Sequence, residues 1–140
     1  MCGIYGYVGD QQAVDFLIDG LRRLEYRGYD SAGVAIIPPN GSINVVKRGK
    51  HKSSIKLLSK VLAKSENPGT LGIGHTRWAT HGAISEVNAH PHTDPENNVA
   101  IVHNGIVENY LEIKSDLKSK GFNFASETDS ELIACLIADE

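Results

Sequence analysis

The chain has 140 residues, and its 17 acidic and 14 basic residues leave a formal net charge of -3. The basic residues are scattered, so no nucleic-acid partner is expected, and no apolar run is long enough to cross a bilayer or to act as an export signal. The two cysteines lie near opposite ends and make a poor disulfide framework, which predicts free thiols in a cytoplasmic protein.

The first half of the chain predicts strands and helices in adjacent groups. The run CGIYGYV mixes β-branched and aromatic residues and predicts a strand that ends at Gly9-Asp10. Helical spacing with Asp10 near the N-terminus then predicts a helix on these apolar residues: Val14, Leu17, Ile18, Leu21 and Leu24. YRGYDSAG is a loop, and SAGVAII and SINVVKRG around PPNG predict a β-hairpin. A second helix is predicted from Ile55 to Leu62, ended by ENPG.

The second half predicts a long loop between strands. TLGIGHT is a predicted strand, and the stretch 77–98, dense in His, Gly, Asn, Asp and Pro, is a loop of a length that usually carries function. VAIVHNG predicts a buried strand, ENYLEIKSDLKSKG a helix with Gly121 past its end, and FNFAS a short strand. TDSELIACLIADE predicts a last helix, whose Thr128 and Glu131 have capping-box spacing. Grouped strands with helices between them favour an α+β fold.

The position of Cys2, directly after Met1, predicts a nucleophile. A cysteine attacks as the thiolate and needs a nearby base. Loss of Met1 would give Cys2 a free α-amine, whose ordinary pKa of about 7.7 to 8.0 is close to that of a thiol, about 8.5. Taken alone, the same cysteine fits a small buried side chain that begins a strand.

Two strand ends add polar groups that acyl transfer requires. VHNG ends one strand in Asn104-Gly105, where a side-chain amide and a backbone N–H could both donate to an oxyanion, although an ordinary turn has the same residues. GIGHTRWATHG ends another strand and presents an arginine, a tryptophan and a histidine. These groups together favour acyl-transfer chemistry at Cys2.

Six segments, in order, carry a resemblance to a known family: CGI, RLEYRGYDSAG, GIGHTRWATHG, NAHPH, VHNGIVENY and SETDSE. They resemble the glutaminase domains of the glucosamine-6-phosphate synthase family, which are class II glutamine amidotransferases and N-terminal nucleophile hydrolases. The resemblance runs from residue 2 to about residue 131. It implies a four-layer αββα sandwich of antiparallel sheets, no cofactor, and residues 2–140 as a partial glutaminase domain without the family's sugar isomerase domains. The last helix has no C-cap signal, which also predicts a truncated domain.

The resemblance implies a role for each site residue. Cys2 would attack the side-chain amide of glutamine, and Asn104 and Gly105 would form the oxyanion hole. Arg77 would hold the α-carboxylate of glutamine, and Asp129 its α-amino group. The remaining residues implied in the site are Trp78 as an aromatic gate, Thr80 and His81 beside Arg77, and His90 and Arg27 in support. Fructose 6-phosphate would bind only the missing isomerase domains, the parent enzyme is expected to be a homo-oligomer, and the isolated fragment is expected to have little activity.

Three alternatives remain open at this stage. Amidophosphoribosyltransferases share the architecture, but they typically have HRGQDSAG and HTRYST where this chain has Tyr26, Tyr29 and HTRWATHG. A non-catalytic module that binds glutamine or a partner is the second alternative. The third is a metal protein, which is disfavoured because no HExxH or CxxC spacing accompanies the five histidines between residues 75 and 103.

Overall fold

The computed structural model describes residues 1–49, 53–79 and 83–140. Within these ranges the strands are β1 (Gly3–Val8), β2 (Ser31–Ile37), β3 (Asn44–Gly49), β4 (Leu71–Arg77), β5 (His92–Thr93) and β6 (Ala100–Ile101). The helices are α1 (Ala13–Leu24), α2 (Ser54–Leu62), α3 (Tyr110–Ser119) and α4 (Ser130–Asp139), with one 3-10 turn at Glu25–Arg27.

The larger sheet has the strand order β1-β4-β2-β3, and every neighbouring pair is antiparallel. Strand β4 is therefore central, with Gly3 of β1 opposite Thr76 and Ser31 of β2 opposite Arg77. The hairpin of β2 and β3 confirms the prediction made from PPNG. The start of β1 and the end of β4 therefore lie side by side at one end of the sheet, which we call the β1–β4 edge.

One face of this sheet is covered by α1 and α2. A side chain at Gly72 would come within 2.7 Å of Leu17, so the glycine allows α1 to lie close to β4. The core between these layers is fully apolar and buried. Its members are Ala13, Leu17, Ile18, Leu21, Ala32, Val34, Ile36, Ile55, Leu58 and Leu62. Burial of this amphipathic face is what stabilises both helices.

The opposite face is covered only in part. Above β2, a side chain at Gly33 would meet the backbone oxygen of His90 at 2.2 Å, so the segment leading into β5 lies directly against the sheet. The two-stranded sheet β5–β6 contacts α4, which packs on α3. Farther along the sheet, Ile4, Val8 and Leu71 remain 43%, 80% and 42% exposed.

The architecture is α+β with antiparallel sheets, as predicted. The layers follow the expected αββα order, but the second sheet pairs only two residues on each strand, so the sandwich is not closed. The predicted strand VAIVHNG shortens to Ala100–Ile101, and β5 forms inside the predicted loop. Helix α1 begins at Ala13, so Asp10 lies before the helix and Gln12 occupies the N-cap position.

Two local predictions near the end of the chain are wrong. Residues 122–126, all of which the structure describes, form no strand, because Phe122 and Phe124 pack instead against the buried cluster of Leu117, Leu132 and Cys135. The capping box also fails: the Glu131 carboxylate accepts the backbone N–H groups of residues 125 and 126 at 2.8 and 2.7 Å. The predicted C-cap of α3 is confirmed, since Gly121 has a φ of 94° at its end.

Candidate active site

The sulfur of Cys2 contacts the backbone of Trp78. The Trp78 N–H donates to Sγ at 3.3 Å, and Sγ donates to the Trp78 carbonyl oxygen at 3.7 Å. Side chains alternate along β1, and Gly3 faces α1, so Cys2 lies on the opposite face of the sheet. The Trp78 ring is 47% exposed and packs edge-to-face on Tyr29, with 5.6 Å between ring centroids.

Asp30 holds the turn that presents Trp78. Its Oδ2 accepts the Ala79 N–H, and its Oδ1 accepts the Ser31 hydroxyl at 3.2 Å. Its backbone N–H donates to the Arg77 carbonyl oxygen at 3.3 Å, so the end of β4 is held on both sides of Trp78. Asp30 stands in the loop motif YRGYDSAG, and no functional role was predicted for it.

Arg77 ends β4 and lies on the same face as Cys2. Its side chain is buried, with 5% of the residue exposed, and Nη1 donates to the Ala83 carbonyl oxygen at 3.3 Å. The predicted neighbours Thr80 and His81 lie outside the described residues. Arg77 thus places a cation beneath the loop that follows β4.

Arg27 lies beside the first residue of the chain. Its Nη2 is 3.8 Å from the Met1 sulfur, and a side chain at the next position, Gly28, would come within 2.9 Å of the Arg77 backbone. This close approach requires glycine, and it brings the 3-10 turn against the β1–β4 edge. Arg27 therefore lies next to Met1, the residue that precedes Cys2.

Asn104 is joined to the sheet through His75. Its Oδ1 lies 2.7 Å from Nε2 of His75, which is 1% exposed. Burial lowers the pKa of His75 to about 4, so the ring is neutral near pH 7. In the tautomer with its proton on Nε2, the ring donates to Oδ1 of Asn104, which can only accept.

Gly105 lies close to the His103 side chain in its own turn. A side chain there would meet Nε2 of His103 at 2.7 Å. Both Asn104 and Gly105 are exposed, so the turn faces solvent while His75 holds it from below. The arrangement leaves the Asn104 amide nitrogen and the Gly105 N–H on an accessible surface.

Three buried histidines pack together beneath this turn. The rings of His75 and His90 are stacked at 4.3 Å, and His90 meets His92 edge-to-face at 4.6 Å. Nδ1 of His90 accepts the backbone N–H of His103 at 3.4 Å, and His92 bonds to Thr128 at 2.8 Å. Burial lowers the pKa values of all three rings, to about 3 for His92, so they are neutral packing groups near pH 7.

Asp129 joins the start of α4 to the same turn. Its Oδ2 accepts the Val107 N–H at 2.7 Å, three residues after Asn104. His103 and Ser130 form a parallel contact, with 3.0 Å between Nδ1 and Oγ. The N-terminus of α4 is thereby fixed against the segment 103–107, at Val107 and His103.

The predicted site residues for which the structure describes contacts fall into two groups that are connected through His75. The first group lies at the β1–β4 edge and consists of Cys2, Trp78 and Arg27. The second group lies at the turn after β6 and the start of α4, and consists of Asn104, Gly105, His90 and Asp129. His75 links the two groups, since it lies on β4 three residues before Trp78 and bonds to Asn104. Among the described residues, no group of three or more His, Cys, Asp or Glu side chains is arranged to hold a metal ion.

The chain matches known proteins over most of its length. The family model for the glutamine amidotransferase domain matches residues 62–139. The glutamine–fructose-6-phosphate aminotransferase (isomerizing) of Thermus thermophilus is 55% identical over 139 residues, which are 99% of this chain and 22% of that protein. The enzyme of the same name from Aquifex aeolicus is 55% identical over 138 residues, 99% of this chain and 23% of that protein. The chain therefore spans about a fifth of the length of these relatives.

Two solved structures share the fold over the whole chain. One is the glutamine phosphoribosylpyrophosphate amidotransferase from B. subtilis complexed with ADP and GMP, with a TM-score of 0.75, 26% identity and 30% of that chain covered. The other, an allosteric regulatory enzyme of purine biosynthesis, gives a TM-score of 0.80 at 27% identity, again over 30% of its chain. Both bear out the α+β fold expected from the sequence.

The described residues contain no helix that is both long and apolar enough to cross a membrane.

The family match covers more than half of the chain, and the curated relatives extend the match to nearly all of it. The residues at the β1–β4 edge and at the Asn104 turn lie within this matched region. The chain belongs to the glutamine amidotransferase domain family.

Proposed function

We propose that this chain hydrolyses the side-chain amide of glutamine with Cys2 as an N-terminal nucleophile, as the glutaminase part of a glutamine–fructose-6-phosphate aminotransferase. The observation that carries the proposal is the hydrogen bond between His75 and Asn104, because it connects an amide donor to β4, and Trp78 directly after β4 contacts the Cys2 sulfur. Identities of 52 to 55% to curated enzymes of that name support the assignment.

The proposed reaction has two halves. The Cys2 thiolate attacks the carbonyl carbon of the glutamine amide, and negative charge develops on the carbonyl oxygen, where Asn104 and Gly105 donate hydrogen bonds. The C–N bond then breaks, and the departing nitrogen takes a proton and leaves as ammonia, which gives a thioester. Water adds to the thioester, the C–S bond breaks, and glutamate and the free thiol are released.

The base in this scheme is the α-amine of Cys2, exposed by removal of Met1. The amine takes the thiol proton before attack and returns it to the leaving nitrogen. Arg27, which lies beside Met1, borders the space that the methionine would vacate. The ordinary contribution of such a base is about 10² to 10⁴ in rate.

The zwitterionic end of glutamine fits the charges on the two sides of the site. Arg77 offers a planar donor for the α-carboxylate, and Asp129 an acceptor for the α-ammonium group. Thr80 and His81 are proposed to line the same subsite, and Trp78, half exposed above Cys2, to gate the exit of ammonia. Ammonia would be consumed by fructose 6-phosphate bound elsewhere in the full-length, homo-oligomeric, cytoplasmic protein.

The test uses the full-length gene product and measures glutamate released from glutamine. Cys2→Ser and Asn104→Ala should each lower kcat at least about 100-fold, whereas Cys135→Ser should not. Wild-type turnover by Cys2→Ser would contradict the proposal and favour a non-catalytic module. Supplying fructose 6-phosphate or phosphoribosylpyrophosphate as acceptor separates the aminotransferase from the alternative to which the solved structures belong.

A further inference from the structure

We propose that His75 is a positioning residue that fixes which way the Asn104 side-chain amide faces, so that its N–H groups and not its oxygen point to the reacting carbonyl. The inference rests on the proposed function, in which Asn104 donates to the oxyanion. In this role His75 acts through Asn104 and forms no bond to the reacting atoms.

An asparagine amide can turn by 180° with almost no change in shape. One orientation places two N–H donors at the oxyanion, and the other places an oxygen there, which would repel the developing charge. Catalysis therefore needs a feature that makes the two orientations unequal. Nothing in the asparagine side chain supplies one.

The contact with His75 supplies this difference. Oδ1 of Asn104 lies 2.7 Å from Nε2 of His75, a distance typical of a good hydrogen bond. In the turned orientation the Nδ2 hydrogens would face Nε2, which could accept them only if the ring proton moved to Nδ1. Nδ1 is buried and has no partner in the described part of the chain, so that tautomer would leave an N–H group unpaired. Accepting from His75 therefore occupies the oxygen of Asn104 and leaves both Nδ2 hydrogens for the other side.

The His75 ring is held in a fixed position, which keeps the Asn104 amide in one orientation. It extends from the central strand β4, is 1% exposed, and stacks on His90 with 4.3 Å between ring centroids. His90 in turn accepts the backbone N–H of His103, the residue before Asn104. The stack thus ties the donor ring to the same backbone that carries the acceptor.

The other nitrogen of the His75 ring is consistent with this role. Nδ1 is buried and has no hydrogen-bond partner in the described part of the chain. A buried polar atom without a partner costs stability, so the ring is not placed there for packing alone. Its polar contacts in the described part of the chain are with the Asn104 side chain and with the backbone of His103.

The test compares His75→Phe with His75→Gln in the full-length gene product. Phenylalanine keeps a ring to stack on His90 but has no donor, and glutamine keeps an N–H near the position of Nε2. We expect His75→Phe to lower kcat for glutamate release about 10- to 100-fold, part of the loss typical of a missing oxyanion donor, with KM for glutamine within about twofold. His75→Gln should recover most of kcat.

Alkylation of Cys2 by iodoacetamide gives a readout that a merely structural role would move. This displacement at a saturated carbon forms no oxyanion, so its rate should stay within about twofold in His75→Phe. If the phenylalanine variant is insoluble, His75→Met, which also lacks the donor, replaces it in the same comparison. A parallel fall in kcat and in the alkylation rate would overturn the inference, because it would indicate general damage to the site.

A double-mutant cycle with Asn104→Ala separates this inference from the proposed function. If His75 acts only through Asn104, adding His75→Phe to Asn104→Ala should slow the enzyme no further. An equal loss in both backgrounds, or wild-type kcat for His75→Phe while Asn104→Ala is slow, would overturn the inference alone. Wild-type kcat for Asn104→Ala would overturn the proposed oxyanion hole, and the role of His75 with it.

Discussion

Replacing Asp30 should disable the site without removing any group that contacts glutamine. The Asp30 carboxylate accepts the Ala79 N–H, and the Asp30 N–H donates to the Arg77 carbonyl oxygen, so Trp78 lies between two fixed points. The Trp78 N–H is the donor that contacts the Cys2 sulfur at 3.3 Å. Asp30→Ala removes one of the two anchors and frees the turn on which that contact depends.

The size of the effect follows from the bonds lost. A hydrogen bond to a charged acceptor contributes about 1.5 to 3 kcal/mol, and the second bond, from the Ser31 hydroxyl, is longer at 3.2 Å. A displacement of about 1 Å at a reacting group costs about 100-fold in rate. We therefore expect kcat to fall about 10- to 100-fold in Asp30→Ala, and less in Asp30→Asn, which keeps an acceptor oxygen.

The assay measures glutamate release and Cys2 alkylation in the full-length gene product, with Asp10→Ala as the matched control. Asp10 is an exposed aspartate in the same half of the chain, whereas Asp30 is half-buried, and Asp10 lies beyond the opposite end of β1. Asp10→Ala should leave both rates unchanged. Equal kcat for Asp30→Ala and Asp10→Ala would refute the reasoning that the turn depends on this carboxylate.

Three further predictions follow from other contacts. Arg77→Ala should raise KM for glutamine at least about 30-fold, because losing one partner of a desolvated charge pair costs about 2 to 5 kcal/mol, and an unchanged KM in initial-rate kinetics would place the carboxylate elsewhere. Gly33→Ala should destabilise the fold by about 1 to 3 kcal/mol in urea unfolding, since its Cβ would lie 2.2 Å from a backbone oxygen, whereas Gly6→Ala, with its nearest atom at 4.0 Å, should be neutral. The free energy of unfolding should decrease as the pH falls from about 6.5 to about 4, because His75 binds a proton in the unfolded chain but not when it is buried. His75→Phe should reduce the slope of the unfolding free energy against pH by about 1.4 kcal/mol per pH unit. An equal slope in both proteins would contradict this.

Local pattern was sufficient for the elements of the larger sheet and the helices on it. The β-branched run of β1, the helical spacing of α1 and the PPNG turn each depend on neighbouring residues, and all three predictions are confirmed. FNFAS failed because its two phenylalanines are buried by α3 and α4, so their apolar character reflects tertiary packing and not strand pairing. The Glu131 carboxylate likewise accepts the N–H groups of residues 125 and 126, and these partners cannot be predicted from the spacing of Thr128 and Glu131.

The positioning residues could not be predicted from the sequence because their partners are distant in the chain. Asp30 and Ala79 are 49 residues apart, and His75 and Asn104 are 29 apart. His75 drew attention only as one of several histidines that could bind a metal. The residues proposed to bind glutamine could be predicted because they lie in short sequence motifs. The residues that position them act through hydrogen bonds between distant strands and loops, which no short motif contains.

The most direct test of the central claim is to map which cysteine reacts with an electrophilic glutamine analogue such as 6-diazo-5-oxo-norleucine. Peptide mass mapping of the methionine-free, full-length gene product should find the label on Cys2 and none on Cys135. Cys135 is fully buried beside Leu117 and Leu132, and burial raises the pKa of its thiol to about 11, so it supplies little thiolate near pH 7. Excess glutamine should protect Cys2 from the label. Labelling of Cys135 with Cys2 unmodified would contradict the assignment of Cys2 as the nucleophile.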